Sequence, residues 1–132
     1  MFVHMVNKNT AKLDQYRYEC STWLRLLEFF KQENAFLKTR LSEVVDRNTD
    51  REFLALAEHF QNQFIIKDEF MDELRHDVNE IERGVKDNNS YIKNTDSKLD
   101  ARQNKLRNEM EYLEKNFTQL KNDFNKYLVS VL

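Results

Sequence analysis

The chain is 132 residues long, the length of one domain, with 33% charged and 40% hydrophobic residues, one Gly and no Pro. Hairpin turns, Gly-rich phosphate loops and nucleophile elbows need residues tolerant of unusual backbone angles, so Rossmann, P-loop and α/β-hydrolase folds are excluded and long helices are expected. Twenty-one basic and 23 acidic side chains leave a formal charge of −2, which offers no basic footprint for nucleic acid.

The first helix is predicted over about residues 10–47. Leu13, Tyr16, Cys20, Trp23, Leu27, Phe30, Asn34, Leu37, Leu41 and Val44 follow one another by alternating steps of three and four. That is a period of about 3.5 residues, the mark of left-handed heptad packing. Asp46-Arg47-Asn48 closes this helix, and Thr49 with Glu52 fits a capping box that opens the next.

The second helix is predicted over about residues 50–86, on the frame Phe53, Ala57, Phe60, Phe64, Lys67, Met71, Leu74, Val78, Ile81 and Val85. A break is expected from Gly84 to Ser90, where Asn88-Asn89-Ser90 supplies turn formers and a further cap. The third helix is predicted over about residues 90–131, on Leu99, Gln103, Leu106, Met110, Leu113, Phe117, Leu120, Phe124, Tyr127 and Val131. Matched helices joined by short turns predict a single all-α domain, an antiparallel up-down-up three-helix bundle. The second frame can also be carried through Asn88, Ile92 and Thr95 to Leu99. Helices two and three would then be one rod in a long dimeric coiled coil. The middle third is acidic between two slightly basic neighbours, which suits interhelical pairing at the seam edges.

With the first residue of each seam pair labelled a and the second d, apolar residues also occupy positions outside the seam. Leu26, Phe29 and Phe36 lie at g and c on helix one, and Leu56, Ile66 and Phe70 at g and c on helix two. An antiparallel hairpin with g beside g would join them into one strip, either the dock for helix three or an interface for a second copy or another helical protein. Asn34, Lys67 and Gln103 are the polar seam residues. Asn34 and Lys67 are expected within about a turn of each other, with Glu33 beside them, acting in register control or, alternatively, as a ligand-binding polar layer.

Chemistry finds little support. Glu73 and His76 form one E-x-x-H at outward positions, where a di-iron carboxylate centre needs two such motifs and further inward Glu. Cys20 sits on the seam as a small hydrophobe, and His4 and His59 lie away from it. No catalytic, metal or cofactor-binding residue is assigned. One cysteine and short apolar runs predict a cytoplasmic, soluble chain. A bundle of this kind with Trp23 in its first helix resembles spectrin-type repeats and syntaxin N-terminal domains in architecture, without a shared motif. The expected role is a non-enzymatic protein interaction or scaffold module. The alternative is a sensory bundle that binds a small ligand or metal.

Overall fold

The computed structural model describes residues 2–48, 50–88 and 96–132. They form three helices, α1 (Phe2–Val45), α2 (Arg51–Asn88) and α3 (Asp96–Val131). No Pro interrupts them, and the apolar seam gives each helix a face to bury. α1 begins at Phe2 rather than near residue 10. Val6 is the a position one heptad before Leu13 and Phe2 the d position two heptads before Tyr16, and no breaker precedes Leu13.

The first turn is tight. The Asp46 amide donates to Ser42 O at 3.1 Å, and the Arg47 and Asn48 amides reach back three residues to Val44 O and Val45 O, each at 3.2 Å. Such i→i+3 bonds satisfy the last carbonyls of a helix. Asp50 caps α2, its Oδ1 accepting from the Glu52 amide at 3.0 Å and its carbonyl from the Leu54 amide at 2.9 Å. Thr49, expected as the cap, lies outside the described residues, as do Asn89 and Ser90. Gly84 does not break the helix: it lies inside α2 without a positive φ. A single Gly in a helix costs only about 1 kcal/mol, which a fully packed seam on either side of it outweighs.

The described chain groups into two compact units, each drawing on all three helices. The first comprises Met1–Leu27 with Glu73–Met110, the second Glu28–Asp72 with Glu111–Leu132. In the second unit, Asn34 of α1 bonds to Phe64 and Asp68 of α2 while Lys31 pairs with Asp72, so the two helices run antiparallel. Phe60 and Phe64 of α2 meet Phe124 of α3 at ring-centroid distances of 5.4 and 5.1 Å, and Phe53 meets Tyr127 at 5.4 Å, again antiparallel. In the first unit α1 and α3 run parallel, with Lys12 on Asp100 and Glu19 on Arg107. Each unit is thus an up-down-up three-helix bundle. The antiparallel packing of α2 on α3 excludes the continuous rod.

From Leu13 to Val85 and from Leu99 to Val131, every seam position except Lys67 and Val131 is buried, Asn34 and Gln103 included. In the second unit, Phe53, Phe60, Phe64, Phe124 and Tyr127 form an aromatic cluster of edge, tilted and stacked contacts. The Tyr127 hydroxyl donates to Phe53 O at 2.9 Å, so its burial leaves no orphan donor. Phe64 is fully enclosed at its centre. Phe64→Ala should cost about 3–5 kcal/mol in urea denaturation. A cost below about 1 kcal/mol would mean the cluster is loosely packed.

Candidate interaction surface

A buried amide joins two helices in each unit. In the second unit Asn34, at position a of α1, donates from Nδ2 to Phe64 O and Asp68 Oδ1, both at 2.8 Å. The other oxygen of Asp68 takes the ammonium of Lys38, one turn beyond Asn34 on α1. In the first unit Gln103 of α3 donates from Nε2 to Glu19 Oε1 at 3.1 Å and Tyr16 O at 3.4 Å. Arg107, one turn beyond Gln103, grips Glu19 through Nε at 2.6 Å and Nη2 at 2.7 Å. In both cases an amide and a cation on one helix hold a carboxylate and a carbonyl on its neighbour. Asn34 Oδ1 and Gln103 Oε1 are buried acceptors with no donor among the described residues, so each clamp carries a desolvation cost beside its gain.

Electrostatics follow the same geometry. Burial by itself would raise the Asp68 and Glu19 carboxyls. Hydrogen bonds from Lys38 and Asn34, and from Arg107 and Gln103, outweigh it and hold both below the usual carboxylate range. Asp100 is lowered likewise, against its burial, by Lys12 at 2.7 Å and the Tyr16 hydroxyl. Burial, then the bond to Asp100, pushes the Tyr16 phenol up to about 12. Cys20 is fully enclosed, and burial with the nearby Glu82 pushes its thiol up to about 11, against a smaller opposing effect of the Gln103 amide. A thiol held protonated is a poor nucleophile.

Lys67 is half-buried on the stretch of α2 that Asn34 meets, between Phe64 and Asp68, and the side chain that takes the Asn34 amide is Asp68. Glu33 turns the other way, to Lys121 of α3 at 2.6 Å. Glu73 and His76 are exposed, with His76 Nε2 3.4 Å from Glu80. Among the described residues no group of three or more His, Cys, Asp or Glu is placed to hold a metal.

The clamps also decide where the six apolar residues outside the seam go. In the second unit α1 meets α2 through their e positions, Lys38 and Asp68, and meets α3 through its g position, Glu33. α2 turns its g position, Phe70, to Tyr112 of α3, with ring centroids 6.2 Å apart. The g edges of both helices therefore face α3, not each other. Phe29 and Phe36 on α1 and Leu56 and Ile66 on α2 lie on opposite flanks of α3, so the single contiguous strip expected from the sequence does not form. Phe70 is half-buried against α3, while Phe29 is 55%, Phe36 71%, Leu56 50% and Ile66 49% exposed. Leu26, at a g position in the first unit, is exposed at its margin.

Sequence reasoning missed a further site in the second unit. A groove of about 290 Å³ runs beside the first turn between α1 and α2, lined by Leu41, Val45, Leu54, Ala57 and Ile65 with Lys38 at its rim. Leu54 and Ile65 are exposed there. Their e and b positions on α2 were the available signal. Among the described residues no helix is long and apolar enough to cross a membrane. The chain matches no family model, no curated protein and no solved structure.

Two outcomes follow from the clamps. Asn34→Ala removes two donors and opens a small cavity, and should cost about 1–3 kcal/mol. The Asp68 carboxyl, followed by NMR titration, should rise in the same variant; an unmoved Asp68 would show that Lys38 alone sets it. Asp68, Glu19 and Asp100 all have folded values below their unfolded ones. Their contribution is complete above about pH 5, beyond the unfolded carboxyl values, and is lost as pH falls through the lower folded values. The melting temperature should therefore hold from pH 7 to about 5 and decline below about 4. A melting temperature that rises on acidification would contradict these assignments.

Proposed function

We propose that the chain is a non-enzymatic protein–protein interaction or scaffold module that works through apolar side chains kept outside the core of its second unit, in the reducing cytoplasm that suits its single free thiol. The exposure of Phe29 and Phe36 carries this reading. The seam beneath them is already filled by Phe30 and Leu37, so the bundle does not need them. Burying a large apolar side chain is worth about 1.5–3 kcal/mol, which these two withhold from folding and keep for a partner.

The distribution supports the same reading. Phe29, Phe36, Leu54, Leu56, Ile65, Ile66 and Tyr112 are exposed in the second unit, against Tyr18 and Leu26 among the first unit's described residues. Grouped apolar exposure marks binding surfaces, where isolated residues do not. The charged edges, by contrast, are largely engaged within the chain. A partner therefore gains chiefly from apolar contact.

The groove beside Leu54 and Ile65 favours a second reading, a small apolar ligand. Its volume of about 290 Å³ stands at the lower end of ligand sites. Lys38 in its lining is committed to Asp68, and the remaining charges there are the carboxylates Asp46 and Glu58, which disfavour a purely apolar ligand, so the interaction reading ranks first.

The double variant Phe29→Ser with Phe36→Ser separates interface from core. It should unfold within about 0.5 kcal/mol of the parent and lose association. A loss of several kcal/mol would place the two side chains in the folding core and remove the basis of the proposal.

A further inference from the structure

We infer that the groove between α1 and α2 beside the first turn is a binding site for a small organic cation, an apolar body that carries a protonated amine. The site follows from how the two facing edges change along the hairpin. The e positions of α1 are Lys31, Lys38 and Val45, and those of α2, in antiparallel order, are Asp68, Gln61 and Leu54. Away from the turn the edges are joined by charge, Lys38 to Asp68 and Lys31 to Asp72 at 2.6 Å. At the turn Val45 and Leu54 have no charge to pair, and a groove of about 290 Å³ is left between the helices.

Its chemistry is mixed in one particular way. Leu41 and Ala57, both buried a positions, make the floor, and Val45, Leu54 and Ile65 add apolar surface around it. Asp46 and Glu58 line the same groove and are exposed to solvent. Neither carboxylate has a hydrogen-bond or ion-pair partner among the described residues. Lys38, also in the lining, is neutralised by Asp68, and Arg47 and Arg51, the cations next along the chain, do not line the groove. An apolar floor beneath two unpaired negative charges disfavours an anion and attracts a cation with an apolar body.

Size narrows the occupant further. A closed apolar cavity of about half this volume holds a benzene ring, so one ring or a short alkyl chain with its amine suits the groove. The Lys38–Asp68 pair bridges the helices where a longer groove would continue. A docked helix, which needs anchor sites over several turns, does not fit. Among the described residues no group of three or more His, Cys, Asp or Glu is placed to hold a metal, so the cation is organic. The site shares no residue with the Phe29 and Phe36 face that carries the interaction reading, and its test is independent of that reading.

Titration of the intact chain with phenethylammonium at neutral pH, followed by methyl NMR, tests the site. The methyls of Leu41, Val45, Leu54 and Ile65 should shift and saturate. Phenethyl alcohol and hydrocinnamate, similar in size but neutral and anionic, should bind more weakly. Glu58→Gln and Asp46→Asn should each weaken the ammonium by about 2- to 5-fold and leave the alcohol unchanged. Both side chains are exposed, and matched melting temperatures confirm that folding is intact. Equal binding of the three compounds, or variants that leave the ammonium's affinity unchanged, would mean that the carboxylates select nothing and would overturn the proposal. Shifts confined to other parts of the chain, or no saturable shift by on the order of 10 mM, would overturn it as well.

Discussion

A heptad seam is nearly indifferent to a slip of one heptad, because Leu, Phe and Val positions repeat and exchange with little loss. A buried amide is not indifferent. Displaced by a heptad, Asn34 would lose both Phe64 O and Asp68, and its Nδ2 would be enclosed without an acceptor, at a cost of about 1–3 kcal/mol. Gln103 imposes the same condition between α3 and α1 through Tyr16 O and Glu19. These two amides, each backed by a cation one turn along its own helix, set which residues of each helix face which neighbour. Both include a backbone carbonyl and a carboxylate, so they fix rotation as well as register.

The location of the free surface follows from that rotation. In the second unit α1 spends its e edge on α2 and its g edge on α3. Its outer face, with Phe29 and Phe36, is left to solvent. α2 spends its g edge on α3, which draws Phe70 into contact with Tyr112 and leaves Leu56 and Ile66 beyond it. A different rotation would have merged the two rows under α3 as ordinary core. Core packing and exposed surface are two results of one geometric choice.

Much of the fold was legible in the residue spacing. Three frames of alternating three- and four-residue steps named the buried positions apart from Leu128, while Lys67, with a charged end that favours solvent, and Val131 are only partly buried. Boundaries were less legible. The first helix reaches back to Phe2 through Val6, and Gly84 stays helical because packing outweighs its low propensity. The side-by-side arrangement of the apolar rows was misread, since pairing g with g ignores how the third helix claims both edges. The charges held the correction. Lys12, Glu19 and Glu33 at g of α1 match Asp100, Arg107 and Lys121 at e of α3 in sign and spacing, and they pair. Opposite charges at recurring g and e positions identify the neighbour of an edge better than apolar residues do, because sign forbids half of the pairings.

The buried bonds of Asn34 and Gln103 hold the register of the helices, and a double-mutant cycle between Asn34 and Asp68 in urea denaturation tests this most directly. A coupling of about 1 kcal/mol or more is expected for a buried bond to a charged group. A coupling near zero would mean that the apolar seam sets the register by itself, and would contradict the account.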